Sequence, residues 1–481
     1  MKFPLPVNIH SHQKGSALIV VVTVLVLGAS ALIVGNLTRN NGKVESQQRS
    51  SSALMAAKLA LLGWAASHPD TPGMLPWPDR NSDGNFDGRS DCESSQPAYT
   101  NTTGRLPWLG QSAPCVAPLT SLSVKIHDGT GAPIYYAVSP NLLYDYNAAQ
   151  YPIVNSETRA TTNNWLTVVN KQGVVLSNKV AFVLIAPGRT VNGQQRTGAT
   201  PAINQYLDSI TIGGTNYSNA NNNGVFVAGH PSDSFNDIVL YVTADELITL
   251  VEKRISRELK KCLDGYATNS GGTYPYPVNL DGNIACSGNG NGNGNGNGNG
   301  NGNGNGSGNG NNCPGNGNNG NGNGNNGNNG NGNGNSGNAG NNGNNGNGNN
   351  GGNNTPGVND LFGRFSQTSG WPASCIVNKD FFQHWYDSSF YMVAPNFVDG
   401  GSKSCPTCLT LDNSGSYHAM VLLAGPLLTG QQRASATEQK DMNNYLENEN
   451  TDPTNYMFES GATSNSFNDK VQCVDANQNC K

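Results

Sequence analysis

The chain has 481 residues, with 27 Lys or Arg against 32 Asp or Glu, a formal charge of −5 and a charged fraction of 12%. This balance gives no electrostatic reason to expect a nucleic acid partner. Glycine is enriched at 61 residues, and in residues 287–354 Gly or Asn fills 62 of 68 positions without a single charge. That segment cannot bury enough apolar surface to form a core, so we predict that it is disordered.

Residues 16–37 form an apolar segment of 22 residues that lies between Lys14 and Arg39. At about 1.5 Å of helix rise per residue, this length matches a bilayer core of about 30 Å. Basic residues precede the segment, which favours a cytoplasmic amino terminus and an extracytoplasmic remainder. We therefore expect a single-pass protein of the inner membrane.

The junction over residues 12–20, with the sequence HQKGSALIV, resembles the processing site of type IV prepilins and type II secretion pseudopilins. In that family prepilin peptidase removes a basic leader that ends in Gly, and the new amino terminus is methylated. The resemblance makes Gly15 the last leader residue and Ser16 the first mature one. It implies assembly with other pilin or pseudopilin subunits into a cell-surface filament. A plain signal anchor that is never cut is the alternative.

Residues 44–67 predict an amphipathic helix, because Leu54, Ala57, Leu61 and Ala65 recur at three- and four-residue steps. In pilin-like proteins such a helix continues the membrane segment and packs under a β-rich head. Residues 40–42, with the sequence NNG, are poor helix formers and predict a break between the two parts.

Short motifs occur twice in the same order, which indicates an internal duplication. The main pairs are PWP at 76–78 with PYP at 275–277, YYAVSPN at 135–141 with FYMVAPN at 390–396, GQQR at 193–196 with GQQR at 430–433, and SFND at 234–237 with SFND at 466–469. An apolar run at 181–186 likewise matches 419–424. We interpret the repeated polar motifs as turn and capping positions.

The predicted fold is therefore α+β, with a long membrane-spanning, pilin-like amino-terminal helix followed by two tandem modules of one helix and a β-sheet. The boundaries are a leader at 1–15, a transmembrane helix at 16–37, a first module at 38–243 and a second module at 244–481, which the insertion at 287–354 interrupts. The second module opens with a clear helix signal, since Thr243 and Glu246 form a capping-box pattern ahead of an apolar stripe.

Residues 79–87 have the D-x-N-x-D-G-x-x-D form of calcium-binding loops. Oxygen ligands at alternate positions can converge on a hard cation there, because Gly84 permits a sharp turn. The expected ligands are the side chains of Asp79, Asn81, Asp83 and Asp87 and the carbonyl of Asn85. An Asn/Asp/Gly turn without metal is the alternative, because the twelfth position is Ser90 where a full EF-hand loop has Glu.

The 10 cysteines suit an oxidising compartment and predict disulfide bonds. The repeat places Cys92 with Cys286 and Cys115 with Cys375, which favours the parallel pairs Cys92–Cys115 and Cys286–Cys375. Small local bonds are expected for Cys405 with Cys408 and for Cys473 with Cys480. Cys262 and Cys313 are left over, either paired or free.

No nucleophile elbow, metalloprotease motif or phosphate loop stands outside the Gly/Asn tract, so an enzyme is disfavoured. We expect a minor, tip-type pilin or pseudopilin with a structural and surface-contact role. A membrane-anchored adhesin that binds a surface or host ligand is the second hypothesis, and an anchored extracytoplasmic hydrolase is the third.

Deleting residues 287–354 is expected to leave folding intact. The deletion removes no apolar core, and the cost of closing a loop grows only with the logarithm of its length. The shortened chain should melt within a few degrees of the parent in a calorimetric scan. Loss of cooperative unfolding would show that the tract is not a passive insertion.

Overall fold

The computed structural model describes residues 16–111, 115, 122–162, 164–191, 193–198, 200–282, 358–367 and 370–475, with no account of the side chains of residues 16–41, 111 and 359. The chain forms two compact units. Unit 1 comprises Met1–Val154 and Thr158–Val251, and unit 2 comprises Asn155–Glu157 and Glu252–Lys481.

Among its described residues, unit 1 contains one long helix and ten strands, followed by the start of a second helix. Their bounds are α1, Ser16–Ser67; β1, Arg89–Ser90; β2, Thr103–Arg105; β3, Gly110–Gln111; β4, Tyr135–Val138; β5, Leu166–Asn170; β6, Val175–Ala186; β7, Ser209–Ile212; β8, Thr215–Ser218; β9, Val225–Ala228; β10, Ile238–Thr243; and α2, Ala244–Ser270. The division between the units falls within α2, after Val251.

Helix α1 packs one face against the sheet of unit 1, as its spacing of apolar residues predicts. Leu54 and Leu61 are 1% and 0% exposed and belong to the main apolar cluster of this unit. A fully buried leucine contributes roughly 2 kcal/mol, so this face holds the helix in place. The predicted break at residues 40–42 is wrong, since the backbone is helical throughout Ser16–Ser67.

The predicted membrane-spanning helix is also wrong as an element of this fold. Among the helices whose side chains are described, none is long and apolar enough to cross a membrane. The side chains of the predicted span at residues 16–37 lie outside the described set. The architecture is mixed α+β with two long helices.

The main sheet of unit 1 has six strands in the order β2-β4-β6-β5-β9, with β10 also paired to β6. β6 is long enough to pair with different strands along its two halves. Its first half pairs with β5, and its second half lies between β4 and β10. All these pairs are antiparallel except β5 with β9.

The described part of unit 2 contains most of α2, one short α-helix and seven strands, besides several 3-10 turns. Their bounds are α3, Val358–Leu361; β11, Phe362–Arg364; β12, Ser389–Val393; β13, Leu409–Leu411; β14, Ser414–Tyr417; β15, Ala419–Leu423; β16, Met457–Phe458; and β17, Lys470–Val474. Helix α2 begins as predicted, with the Glu246 N–H donating to Thr243 Oγ1 at 3.2 Å. Its apolar stripe is buried, Ile255 and Leu259 both being 0% exposed.

Each unit contains the same four-stranded antiparallel core, β2-β4-β6-β10 in unit 1 and β11-β12-β15-β17 in unit 2. A buried tyrosine occupies the same position in both. Tyr136 donates its hydroxyl to the carbonyl of Pro76, and Tyr391 donates to that of Pro275, each at 3.1 Å. The repeated Pro and Tyr motifs are therefore tied together in the same way in the two units.

The strand registers correct the alignment of the apolar runs by one residue. Ala186 pairs with Ile238, the residue that follows the first SFND motif. Leu423 pairs with Lys470, the residue that follows the second. Ala186 therefore corresponds to Leu423 and not to Ala424. Sequence similarity misses this shift because every residue in both runs is apolar.

A glycine in the edge strand of each core allows close backbone contact. Gly104 in β2 faces the carbonyl oxygen of Asp79, and Gly363 in β11 faces that of Val278, so a Cβ atom at either position would collide with that backbone oxygen. Asp79 forms an isolated backbone β-bridge with Arg105, and Val278 forms one with Arg364. Asp79 and Val278 therefore occupy equivalent positions.

Gly104→Ala is expected to lower the free energy of unfolding by about 1–3 kcal/mol, because backbone must move to admit the methyl group. Gly63→Ala is the matched control, since nothing lies within 4 Å of a Cβ there. In the middle of a helix this control should be neutral or stabilising by up to about 1 kcal/mol. Chemical denaturation of both variants measures the difference, and equal effects would contradict the collision.

Candidate functional site

The acidic loop over residues 79–91 follows the bridge to β2. Asp79 is 2% exposed, and its Oδ2 accepts a hydrogen bond from the Gly88 N–H at 2.9 Å. Asp91, a residue outside the predicted ligand set, closes the loop, because its Oδ2 accepts from the N–H groups of Arg80 at 2.8 Å and Ser82 at 3.1 Å. Three backbone donors thus bind two buried carboxylates, which fixes the course of the loop.

Two buried oxygens of this loop have no hydrogen-bond partner, Oδ1 of Asp79 and Oδ1 of Asn81. Asn81 adopts a left-handed backbone with φ 65°, which Asn tolerates better than most residues. Burial raises the pKa of Asp79 to about 7, and the carboxylates of Asp91 and Asp87 add to the effect. Burial also raises the pKa of Asp91.

The other predicted ligands make local backbone contacts. Asp83 Oδ1 accepts from the Asn85 N–H at 3.1 Å, and Asp87 Oδ1 accepts from the Arg89 N–H at 2.8 Å. Within the described residues, no three His, Cys, Asp or Glu side chains form a group that could hold a metal ion. The predicted ligand residues thus lie in one loop, and the described side chains do not form a closed metal-binding site.

The disulfides agree with the sequence at two places and differ at one. Cys92 bonds to Cys115 and Cys405 bonds to Cys408. Cys375 bonds to Cys262 on α2, with their Cα atoms 4.9 Å apart, so the predicted pair Cys286–Cys375 is wrong. The argument from parallel positions fails because α1 has Ala60 where α2 has Cys262.

Three of the remaining cysteines lie outside the described residues, Cys286, Cys313 and Cys480. Cys473 is disulfide-bonded. The processing residue Gly15 and the side chain of Ser16 lie outside the described set as well.

A network around a half-buried arginine, which sequence reasoning assigned only to turns, is present in both units. In unit 1 Arg196 donates to three carbonyls, from Nε to Gln205 at 3.0 Å, from Nη1 to Gly188 at 2.6 Å and from Nη2 to Tyr206 at 3.2 Å. Its guanidinium lies 4.8 Å from the centre of the Tyr206 ring. The repeated GQQR motif was the sequence signal for this arrangement.

Arg433 reproduces the contacts in unit 2. Its Nε donates to Asn444 O at 2.6 Å and its Nη1 to Gly425 O at 3.2 Å, and the guanidinium lies 4.4 Å from the centre of the Tyr445 ring. A second arginine also faces each tyrosine, Arg105 at 5.6 Å from the Tyr206 ring and Arg364 at 5.3 Å from the Tyr445 ring.

Each network includes a pair of buried acids. In unit 1 Asp237 Oδ2 accepts from the N–H of Asp208 and from the side-chain amide of Asn219, both at 2.9 Å. Asp208 Oδ2 accepts in return from the Asn236 N–H at 2.6 Å. In unit 2 Asp469, Glu447, Asn450 and Asn468 make the same contacts at 2.9–3.1 Å.

The inner acid of each pair favours its neutral form. Burial raises the pKa of Asp237 well above its ordinary value, and repulsion by Asp208 raises it further. Burial followed by repulsion from Glu447 does the same for Asp469. Asp237 and Asp469 are 0% and 2% exposed, so no substrate in solution can reach them. We conclude that these acids hold the loops together.

Unit 1 also has an open groove of about 380 Å³ beside α1. One wall carries Lys43 and Ser46 of α1, and the other is the loop 188–191 that the arginine network holds. Asn236, next to the buried acid pair, lines the floor and donates to the Arg189 carbonyl at 2.8 Å. The lining is mainly polar, and no sequence motif pointed to it.

Comparison with known proteins identifies no relative, because no family model, no curated protein and no solved structure matches this chain.

The stability of the metal-free chain is expected to fall as the pH rises from about 4 to 7, because of Asp79. Its pKa is 3.8 in the unfolded chain and about 7 when folded, so the folded state holds a proton that the unfolded state loses in this window. Asp79→Asn keeps an oxygen acceptor for the Gly88 N–H. In denaturation curves recorded with chelator, it should reduce the change in the free energy of unfolding between pH 4 and 7 by about a few kcal/mol.

The exposed acid Asp233 provides the control. Asp233→Asn should leave the pH profile of the parent unchanged. A profile of Asp79→Asn that matches the parent would contradict the assignment to Asp79.

Proposed function

We propose that this chain is a minor subunit of a pilin-type surface filament, with a structural and surface-contact role. The observation that carries the proposal is α1, which spans Ser16–Ser67 and packs its last turns under an antiparallel sheet. A leader removed after Gly15 would leave this helix whole. The resemblance at residues 12–20 names prepilin peptidase as the processing enzyme and other pilin-like subunits as partners.

Several features of the described residues favour a structural role. The repeated polar residues lie in buried networks in both units, and disulfides fix the acidic loop and the second helix. Disulfides of this kind persist outside the cytoplasm. A surface-contact role, which a surface adhesin would share, is favoured by the open polar groove of unit 1.

A place at the filament tip follows from Val20. The resemblance implies that family members have a Glu at this position, which pairs with the amino terminus of a neighbouring subunit. Val20 offers no carboxylate, so the chain loses nothing where no subunit lies above it. We therefore expect a few copies per filament at one end.

Filament preparations should contain this chain with Ser16 as its amino terminus in mass spectra, and gold-labelled antibody to the head should mark filament ends. Val20→Glu should not turn the chain into a major subunit. An uncut chain absent from filaments would overturn the proposal, and even labelling along the shafts would refute tip placement.

We further propose that the acidic loop binds one calcium ion. The partnerless Oδ1 atoms of Asp79 and Asn81 are buried oxygens of the type that a hard cation prefers. Asp83 and Asp87 with the Asn85 carbonyl would complete the set, and the ion would favour the ionised form of Asp79, whose pKa burial and the neighbouring carboxylates raise. Unit 2 has Val278 at the position of Asp79, so a single site is proposed.

Calcium should raise the melting temperature of the chain relative to chelator, because a ligand that binds only the folded state adds RT ln(1 + [L]/Kd) to its stability. The shift should be a few degrees at saturating calcium. Asp83→Asn should abolish it, and Asp233→Asn, the exposed control, should preserve it. An unchanged melting temperature of the parent would exclude the calcium site.

A further inference from the structure

The loop after β15 in unit 2 binds a carboxylate from the same unit. Glu157 Oε1 accepts from the Leu427 N–H at 3.1 Å and from Arg433 Nη1 at 2.6 Å. The neighbouring Ser156 donates its hydroxyl to the Ala424 carbonyl at 3.1 Å. A Ser-Glu segment is therefore held by one backbone N–H, one guanidinium and one carbonyl.

Unit 1 has the same loop and the same arginine. The register of β6 and the arginine contacts make Gly188 equivalent to Gly425, Thr190 to Leu427 and Arg196 to Arg433. Within the described residues, the Thr190 N–H has no hydrogen-bond acceptor, and no carboxylate lies within ion-pair distance of Arg196, whose charge opposes the rise that burial causes in the pKa of Asp208. No described carboxylate therefore takes the place of Glu157 in unit 1. Asp128 Oδ2 accepts from the neighbouring Gly188 N–H at 2.8 Å, and Gly188 and Thr190 line the groove.

The charges around the groove favour an anion. Lys43 and Arg189 both line it, and Arg196 Nη1 lies 2.6 Å from the carbonyl of the lining residue Gly188. Asp233 is the single acid among the lining residues, and Lys43 pairs with it at 3.2 Å across a solvent-exposed gap. Arg189 makes no ion pair with any residue in the described part of the chain. Arg189 therefore stands without an ion pair, within the described residues, beside a free N–H.

We propose that the groove of unit 1 binds a glutamate-bearing segment of another polypeptide, by the contacts that Ser156 and Glu157 make in unit 2. The glutamate carboxylate accepts from the Thr190 N–H and from Arg196 Nη1. The hydroxyl of the preceding residue donates to a carbonyl of the loop, and Arg189 attracts the acidic segment. This inference rests on the groove alone and holds whether or not the chain enters a filament.

The test uses the full chain and a fluorescent peptide with the sequence of residues 154–159, VNSETR. A charge-assisted pair of hydrogen bonds in a polar groove predicts a dissociation constant of about 1 mM in fluorescence anisotropy. The matched peptide with Gln in place of Glu should bind at least tenfold more weakly. Raising the salt concentration should weaken binding of the Glu peptide and bring the two peptides closer together.

Two chain variants with the same change of charge locate the site. Arg189→Glu places an acid in the groove and should weaken binding of the Glu peptide at least tenfold. Lys379→Glu, at an exposed position in unit 2, should leave it within twofold of the parent. Both side chains are exposed, so melting temperatures close to that of the parent are expected and should be checked first.

Three results would overturn the proposal: equal affinity for the Glu and Gln peptides, no binding at 10 mM peptide in about 0.05 M salt, or equal losses in the two variants. If Arg189→Glu does not fold, Thr190→Pro, which removes the N–H donor, and Thr190→Ala, which keeps it, take its place. Only the proline variant should then lose the preference for Glu over Gln.

Discussion

In each unit the loop that leaves the central strand is held by one arginine, whose contacts converge on carbonyl groups from separate parts of the chain. Arg196 binds the carbonyls of Gly188, Gln205 and Tyr206, and Arg433 binds their counterparts. A charged donor makes hydrogen bonds roughly twice as strong as neutral ones. Removing it would take the charged donor from these part-buried carbonyls, and a carbonyl that is left buried without a partner costs about 1–3 kcal/mol. The acid pair and the groove both depend on this loop.

The acid pairs show why burial of carboxyl groups is tolerated beside these arginines. An ionised carboxylate without solvent is costly, so a buried acid either finds donors or keeps its proton. All four acids accept from backbone N–H groups, and burial raises the pKa values of Asp237 and Asp469 well above the ordinary value, so these two favour the neutral form. The acid pairs make the same contacts in both units, which explains the repeated SFND motif as a structural element.

The differences between the units are the places where we locate function. Asp79 begins the acidic loop of unit 1, whereas Val278 occupies its position in unit 2. The loop of unit 2 holds Glu157, whereas the loop of unit 1 borders an open groove. A shared frame with different occupants is expected after duplication, because the buried network constrains the core while surface positions vary. The metal and peptide proposals therefore both concern unit 1.

The sequence by itself determined the elements whose signal is local. The stripe on α2, the capping contact of Thr243, the buried face of α1 and the short disulfides follow from spacing along one segment, and the repeated motifs indicated equivalent positions in two units. The tertiary structure decided what depends on distant residues. It paired Cys375 with Cys262, shifted the apolar runs by one residue, closed the acidic loop by the contact of Asp91 with the Arg80 N–H and joined Arg196 to the carbonyls it binds. The physical reason is that strand register and side-chain partners across a fold are selected by packing between segments, and composition along one segment carries no record of that choice.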